Sequence, residues 1–469
     1  MRIMRTGFRS WLGIAIILLG GTTILPVRIY AQAAGQNAVF NSSTTTNTSA
    51  FIDAANFSSS GDICAKLHAI LVSSILYIQA TNWQVIDARG IVPTSGSTQP
   101  CTSNPWATLG SGRDWVTILL PAGTIQIATT WTLPQYTKII GEGPGTTILQ
   151  ACTSISCTAG AFSPGSAMIQ MGCGNGSCGQ SFGVGVENLT LDGQSQVIDG
   201  IDNSDAEEQS YAKHVQMINI GGTGLSLGID TSTSKTNHSS YSDISITETS
   251  VGNACINIQP NAQPRGIHGI TCTCLTSSGS VCSSSNSHPG IYLDGSDVSL
   301  QDVNINGFGD GIRIGSQGTS GTVQNNIIFN ITGGTNVNDL VHICGSNYGS
   351  HSACSQTSNA VSDLTVMGIT SSANNTIQDD VADTLLAEST DPTVGMYIVG
   401  EQVTLVSGSL TGYSRFTTSP SIPTWRVGTA DPPIGSCSIG TLYSRTSNSS
   451  TSPPTVWGCT GSSSWTPIK

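Results

Sequence analysis

From about residue 184 the chain repeats a pair of short strand-like segments, and this repeat limits the possible folds more than any other feature. In the first segment apolar residues alternate with small polar ones, as in Leu189-Thr-Leu-Asp192, Ile218-Asn-Ile220, Ile244-Ser-Ile-Thr247, Val303-Asn-Ile-Asn306, Phe329-Asn-Ile-Thr332 and Leu364-Thr-Val366. The second segment follows at a distance, as in Gly224-Leu-Ser-Leu227, Cys255-Ile-Asn-Ile258, Gly290-Ile-Tyr-Leu-Asp294, Gly311-Ile-Arg-Ile314 and Leu340-Val-His-Ile343. Copies recur roughly every 21 to 35 residues, which is the range of solenoid coils.

This pattern predicts an all-β protein, a right-handed single-stranded parallel β-helix. One coil cannot bury its own apolar face, but stacked coils bury a continuous core. A β-sandwich is the alternative, but it would not repeat one strand pair so often in the same order. Charged residues make up only 9% of the chain and glycines number 54, which suits a repetitive β-structure with many tight turns.

Four motifs within about residues 60–400 resemble the pectate-lyase-like superfamily: Leu119-Leu-Pro-Ala-Gly123, Ile139-Ile-Gly-Glu-Gly143, Asn188-Leu-Thr-Leu-Asp-Gly193 and Gly309-Asp-Gly-Ile-Arg-Ile314. That superfamily includes domains related to family 28 and family 55 glycoside hydrolases and to phage tailspikes. The resemblance implies a parallel β-helix that processes a polysaccharide, with a glycoside hydrolase favoured over a lyase. A non-catalytic glycan-binding or adhesive β-helix and a Ca²⁺-dependent polysaccharide lyase remain as alternatives.

The remaining domains are predicted from composition. Arg2, Arg5 and Arg9 precede a short apolar run, which is typical of a secretory signal peptide over residues 1–33; an uncleaved N-terminal anchor is the alternative. Residues 34–60 are predicted to be a flexible leader and residues 61–410 the β-helix. Apolar residues at helical spacing after Asp62, from Ile63 to Ile78, predict a helix that caps the open end of the solenoid. Residues 415–469 are predicted to form a small disulfide-closed β module.

Net charge excludes some partners. Cleavage after residue 33 would remove four arginines and no acid, which changes the formal charge from −12 to −16. Such a chain is a poor ligand for nucleic acid or an anionic membrane surface. The expected partner is a polysaccharide, and a homotrimer is compatible with the tailspike resemblance. The expected location is extracellular or periplasmic.

Fourteen cysteines in an exported chain indicate disulfides. The close pairs are Cys152 with Cys157, Cys173 with Cys178, Cys344 with Cys354, and Cys437 with Cys459, and Cys64 with Cys101 is a longer candidate. A zinc site is the competing interpretation, but Cys272-Thr-Cys274 lacks the usual C-x-x-C spacing.

The candidate site follows from strand alternation, because residues between buried apolar ones face outward. Aligning the second segments gives an outward column of Asp202, Ser226, Asn257, Tyr292, Arg313 and His342. We predict that Asp294, Asp310 and Arg313 are catalytic and that Asp202, Asn257, Tyr292 and His342 bind substrate. The alternative is an unused, solvated face. Aligning the first segments gives a second column, expected to be structural: Thr190, Asn219, Ser245, Thr271, Asn304 and Asn330.

One loop region is rich in acids: Asp192, Asp199, Asp202, Asp205, Glu207 and Glu208. Glycoside hydrolysis needs two carboxylates about 5 to 9.5 Å apart, and this region is a second source for such a pair. Carboxylate oxygens also suit Ca²⁺, the one cofactor that the sequence admits. The alternative is that these acids are simply solvated.

Overall fold

We describe the protein from a computed structural model. It describes residues 51–344 and, beyond them, short strands between residues 360 and 468. Within 51–344 the description omits residues 58–60, 74–83, 92–97, 108–114, 154–161, 173–180, 205, 229–237, 250–252, 261, 284–287, 316–321 and 335. The predicted signal peptide therefore lies outside the described residues.

The described chain contains one α-helix, α1 (Ile63–Val72), and thirty strands. In chain order the strands are β1 (Phe51–Asp53), β2 (Gln84–Asp87), β3 (Thr98–Cys101), β4 (Val116–Leu119), β5 (Gly123–Ile127), β6 (Trp131–Leu133), β7 (Thr137–Ile140), β8 (Thr147–Ala151), β9 (Ala167–Met171), β10 (Gly185–Asp192), β11 (Asp199–Asn203), β12 (Tyr211–Ile220), β13 (Leu225–Leu227), β14 (Ser240–Thr249), β15 (Ile256–Ile258), β16 (Gly266–Leu275), β17 (Ile291–Leu293), β18 (Ser299–Asn306), β19 (Asp310–Ile314), β20 (Thr322–Gln324), β21 (Ile327–Gly333), β22 (Asp339–Ile343), β23 (Ala360–Ser362), β24 (Leu364–Ser371), β25 (Asn375–Asp379), β26 (Met396–Val399), β27 (Trp425–Gly428), β28 (Leu442–Arg445), β29 (Val456–Gly461) and β30 (Ser464–Ile468).

The predicted parallel β-helix is confirmed. A 15-stranded sheet follows the order β1-β2-β4-β7-β10-β12-β14-β16-β18-β21-β24-β26, with β3, β5 and β8 joined to it through β10. A 9-stranded sheet follows the order β25-β22-β19-β17-β15-β13-β11-β9-β6. All pairs in both sheets are parallel, as in β12 with β14 and β17 with β19. The chain therefore alternates between the two sheets once per coil, and the strand-to-strand crossovers take the right-handed sense that such connections favour.

Each long strand of the larger sheet is bent by one residue in the left-handed backbone region. The bend residues align across six neighbouring coils, with φ between 50° and 67°: Asn188, His214, Asp243, Gly269, Asp302 and Asn330. Asn, Asp and Gly tolerate this conformation best. The bend divides the strand into two halves, so β10 pairs with β7 through its first half and with β8 through its second. The larger sheet thus forms two faces of the coil.

The bends explain an error in the predicted first-segment column. Register places Thr190 beside Gln216, followed by Ser245, Thr271, Asn304 and Thr332. The assignments of Asn219 and Asn330 to this column were wrong. Asn330 is a bend residue, and Asn219 lies within the register shift between Met217 and Ile220. Both lie in Asn-Ile dipeptides that look like an alternating strand, so the letters alone do not show the shift.

The core is a single cluster of buried apolar side chains that runs along the solenoid. Helix α1 buries Ile63, Leu67 and Ile70 against this cluster. Its N-cap is Asp62, as predicted, whose carboxylate accepts a hydrogen bond from the Ala65 amide at 2.8 Å. The helix ends at Val72, and the predicted continuation through Ile75 and Ile78 falls outside the described residues.

Strand β1 lies inside the segment predicted to be a flexible leader. Its residues pair with β2, from Phe51 beside Val85 to Asp53 beside Asp87. The β-structure therefore begins ten residues before residue 61, because β1 adds one more strand to the end of the sheet.

The predicted bridge between Cys64 and Cys101 is confirmed and ties α1 to β3. Two bridges that the sequence did not suggest join Cys255 to Cys272 and Cys274 to Cys282. Cys152 and Cys344 are also disulfide-bonded. Their predicted partners, like the Cys173–Cys178 and Cys437–Cys459 pairs, fall outside the described side chains.

Strands β27 to β30 form a separate 4-stranded sheet. Its last three strands pair antiparallel, whereas β27 and β28 pair in parallel. The module predicted over residues 415–469 thus contains a β-sheet, and its disulfide closure stays a prediction. In the described part of the chain, no helix has both the length and the hydropathy needed to cross a bilayer.

Candidate functional site

The second-segment residues form one continuous column on the smaller sheet, which we call the outer column. Register pairs them in the order that the sequence predicts: Asp202, Ser226, Asn257, Tyr292, Arg313 and His342. Each residue follows an inward-facing Ile, Leu or Val, so side-chain alternation places the column on the outside of the solenoid. Gln170 extends the column on one side and Gln378 on the other.

Burial varies along this column. Asp202, Asn257 and Tyr292 are half-buried, but Arg313 is only 4% exposed and His342 is 0% exposed. A solvated, unused face would leave these two side chains in water. These two positions are therefore covered by other parts of the structure rather than solvated.

Arg313 lies at the centre of a compact group of polar side chains, which with Tyr292, Asp310 and His342 we call the Arg313 cluster. Its Nε donates to Asp310 Oδ2 at 2.5 Å, and its guanidinium lies 5.7 Å from the centre of the Tyr292 ring. His342 Nδ1 lies 2.9 Å from the same Asp310 oxygen. The cluster spans three coils, because β17, β19 and β22 are neighbours.

Asp310 is held in its ionised form. Burial by itself raises the pKa of this carboxyl, but the hydrogen bond with His342 and the positive charge of Arg313 outweigh it, so the pKa lies below its usual value. The pKa of Tyr292 is raised, chiefly by burial; Arg313 opposes this effect, and the charges of Asp294 and Asp310 add to it. At neutral pH the cluster therefore combines an ionised carboxylate with a neutral phenol.

Two further residues adjoin the cluster that the sequence analysis did not select. Asp339 pairs with Asp310 in the strand register, and their carboxylates and His342 lie within 4.8 Å of one another. His288 has a lowered pKa, because of burial and then the charge of Arg313. Asp339 begins its strand as Asp310 does, which was a usable sequence clue. His288 lies outside the strand repeat, so periodicity could not reveal it.

Asp294 and Asp310, both predicted to be catalytic, lie at opposite ends of the strand pair. At one end, Asp294 lies opposite Gly315 in the neighbouring coil, and the Gly315 amide donates to the Leu293 carbonyl. At the other end, the Asp310 carbonyl accepts a hydrogen bond from the Gly290 amide. Five residues separate the two ends, so the Cα atoms lie about 16 Å apart along the strands. Both side chains are buried, and both charges act on Tyr292 between them.

The structure separates the acids of the acidic loop region. Asp192 accepts hydrogen bonds from Gln150, Gln194 and Asn219. Asp202 belongs to the outer column, and Asp205 falls outside the described residues. Only Glu207 and Glu208 converge, beside a histidine from the next coil, His238.

Glu248 is an acid that faces into the core. On β14 it continues the inward series of Ile244 and Ile246, and its carboxyl oxygens accept no hydrogen bond. The Gly224 amide, which approaches it, donates to the Ala254 carbonyl instead. Burial and the charge of Asp199 raise the pKa of Glu248 well above its usual value. Burial also raises the pKa of Asp199, despite a hydrogen bond from the Thr223 amide. Alternation from Ile244 and Ile246 places Glu248 inward, a signal that the sequence analysis did not use.

Comparisons with known proteins assign neither a family nor an activity to this chain. No family model matches the sequence, and no curated protein matches it. A protein of Geobacillus virus E2, ORF18, matches 89% of this chain and 76% of its own at 10% identity, with a TM-score of 0.38.

Two further solved structures are similar over part of the chain. The A-module of the mannuronan C-5 epimerase AlgE4 of Azotobacter vinelandii matches 62% of this chain and 89% of its own, at 15% identity and a TM-score of 0.26. The Streptococcus pneumoniae surface protein and adhesin PfbA matches 61% of this chain and 89% of its own, at 9% identity and a TM-score of 0.29. Likenesses of this size assign no activity.

Proposed function

We propose that this protein is a secreted carbohydrate-active β-helix that binds a polysaccharide along the outer column and hydrolyses it at the Arg313 cluster. The observation that carries the proposal is the cluster itself. It holds buried carboxylates, a buried arginine and a buried histidine under a half-exposed tyrosine. Burying charges is costly, and a strand pair needs none of them for its stability, since the neighbouring coils fill the same column with Ser226 and Asn257.

Each residue has a role in this proposal. The Tyr292 ring provides an apolar surface for the C–H groups of a pyranose. Asp310, held ionised by Arg313 and His342, acts as the base that activates water. Asp294 adds negative charge on the far side of Tyr292. Its Cα lies about 16 Å from that of Asp310 along the strands, beyond the roughly 5 to 9.5 Å that separates the two carboxylates of a glycosidase, so Asp339, which adjoins Asp310, is the acid placed to complete the pair.

The same geometry argues against lyase chemistry at this cluster. A lyase needs a cation that is available to neutralise the uronate carboxylate of its substrate. The Arg313 guanidinium already donates to Asp310 and lies over Tyr292.

A second candidate is glycan binding without catalysis. It is favoured by the burial of both acids, since Asp294 is 2% and Asp310 is 4% exposed. In that case Tyr292 would be the contact residue and the acids would serve only to position it.

Secretion is supported by the disulfides, which form and persist in oxidising compartments.

Screening the purified full chain on a panel of neutral and acidic polysaccharides separates these functions. Hydrolysis releases reducing ends, a lyase produces an unsaturated uronate absorbance, and a binding protein produces neither. We expect reducing ends, and loss of turnover in Asp310→Asn. Ligand retention without products would favour the binding candidate, and the absence of both binding and products across the panel would reject the proposal.

A further inference from the structure

We propose that Glu207, Glu208 and His238 form a binding site for a divalent transition metal ion such as Zn²⁺. The three residues offer one nitrogen and two carboxylate oxygens that lie within 4.8 Å of one another. His238 Nδ1 is 3.0 Å from Glu208 Oε1 and 3.9 Å from Glu207 Oε2. Ligands around a tetrahedral zinc ion with bonds of about 2.0–2.1 Å lie about 3.3 Å apart, so a small movement of Glu207 closes the set.

The orientation of the His238 ring is fixed from outside the cluster. Gln263 donates its amide N–H to Asp297 Oδ2 at 3.2 Å. A carboxylate only accepts hydrogen bonds, so the carbonyl oxygen of Gln263 must face His238 Nε2, at 3.4 Å. Nε2 therefore donates its hydrogen to Gln263, and Nδ1 is the nitrogen that faces the two glutamates. A metal-binding histidine has this arrangement, in which the second ring nitrogen donates to a fixed acceptor.

The two segments that carry the ligands are also fastened together. The hydroxyl of Ser239, next to His238, donates to the carbonyl of Ala206, next to Glu207, at 2.7 Å. Asn203 donates to the same hydroxyl at 2.8 Å. Glu207 is only 3% exposed, and its amide bonds the Ser181 carbonyl at 2.7 Å. The ligands are thus set on backbone that is already held, which reduces the ordering cost of binding a metal ion.

The donor set selects the class of metal. Ca²⁺ and Mg²⁺ prefer six or more oxygen ligands, whereas an imidazole nitrogen with carboxylates suits Zn²⁺ and its neighbours in the first transition series. The sequence suggested Ca²⁺ for this acidic region. The histidine, which lies thirty residues from Glu208 in sequence, changes that expectation.

The other His/Asp group of the described chain, Asp310 with Asp339 and His342, is a weaker candidate. Its Asp310 oxygen already contacts both Arg313 and His342. A divalent cation there would lie beside a buried guanidinium. At the Glu207 site, the basic partner that contacts both glutamates is His238 itself.

Calorimetric titration of the metal-free full chain with ZnCl₂ tests the proposal, with CoCl₂ as a spectroscopic probe and CaCl₂ as the comparison ion. We expect one Zn²⁺ site that is lost in His238→Asn and retained in His214→Asn. His214 is the control, because its Nε2 lies 3.1 Å from Asp243 Oδ2 in an exposed histidine–carboxylate pair that, among the described residues, includes no second acid. Gln263→Leu should weaken binding about 10- to 100-fold, and circular dichroism checks that each variant is folded.

Co²⁺ bound at this site should show the visible absorption bands of a four-coordinate ion, and Glu208→Gln should abolish them. Failure of the wild-type chain to bind Zn²⁺, or equal binding by His238→Asn and wild type, would overturn the proposal and leave an ordinary histidine–glutamate ion pair. Both results are independent of any activity on polysaccharides.

Discussion

Replacing Arg313 by methionine removes one charge from the Arg313 cluster while keeping most of the side-chain volume. Arg313 is 4% exposed, so solvent does not screen its interaction with Asp310. Breaking a buried pair by removing one partner costs about 3–5 kcal/mol, because the remaining charge stays buried without compensation. His342 keeps its contact with the same Asp310 oxygen. We therefore expect the free energy of unfolding to fall by about 3 kcal/mol, the lower end of that range.

Urea denaturation followed by circular dichroism measures the change without adding salt. Arg89→Met is the matched control, because Arg89 makes a two-bonded pair with Asp87 but its side chain is 47% exposed. An exposed pair contributes about 0–1 kcal/mol. The double variant Asp310→Asn/Arg313→Met should recover part of the loss, since it leaves no ionised carboxylate unpaired at Asp310. If Arg313→Met costs no more than Arg89→Met, the cluster is not a buried charge network.

Three further predictions concern the scaffold. Glu248→Met should raise the free energy of unfolding at neutral pH. Because the folded-state pKa of Glu248 is raised, the contribution of Glu248 to wild-type stability is fully present below its unfolded pKa of about 4.3 and is lost as pH rises through the folded pKa. Urea denaturation at a series of pH values should show this slope for wild type and not for the variant, and parallel slopes would contradict the assignment. Gly269→Ala should lower the free energy of unfolding by about 1–2 kcal/mol, measured by the same method, because Gly269 has φ +67° and an added Cβ would lie 2.8 Å from Asp243 Oδ1. Unchanged stability would show that the bend is not left-handed. Peptide mapping without reduction should recover Cys255 joined to Cys272 and Cys274 joined to Cys282, and recovering these four as free thiols from exported protein would contradict the structure.

The sequence predicted the solenoid and the outer column because both depend on side-chain alternation. Register in a buried strand is set by which residues face the core, so aligning apolar residues also aligned Asn257, Tyr292 and Arg313. The same rule failed for Asn219 and Asn330, where a shift or a bend interrupts the alternation.

The burial of the site could not be predicted in this way. Alternation places Arg313 and His342 on the outside of the sheet, but whether an outward residue is covered depends on the rest of the structure. The roles of Asp310 and Asp339 depend on the corner at which their strands begin, where side chains leave the strand pattern. The cluster of Glu207 and Glu208 with His238 joins residues from different coils, and no local motif encodes such a contact.

The central claim is that the Arg313 cluster is a carbohydrate site, and the affinity of Tyr292→Ala for the polysaccharide identified by the screen tests it most directly. Tyr211→Ala is the control, because Lys138 lies 5.7 Å from the Tyr211 ring centre, as Arg313 does from that of Tyr292. Loss of one aromatic contact worth about 1.4 kcal/mol corresponds to about tenfold in Kd. We predict that loss for Tyr292→Ala and an unchanged Kd for Tyr211→Ala, both measured by calorimetry. An unchanged Kd for Tyr292→Ala would contradict the account.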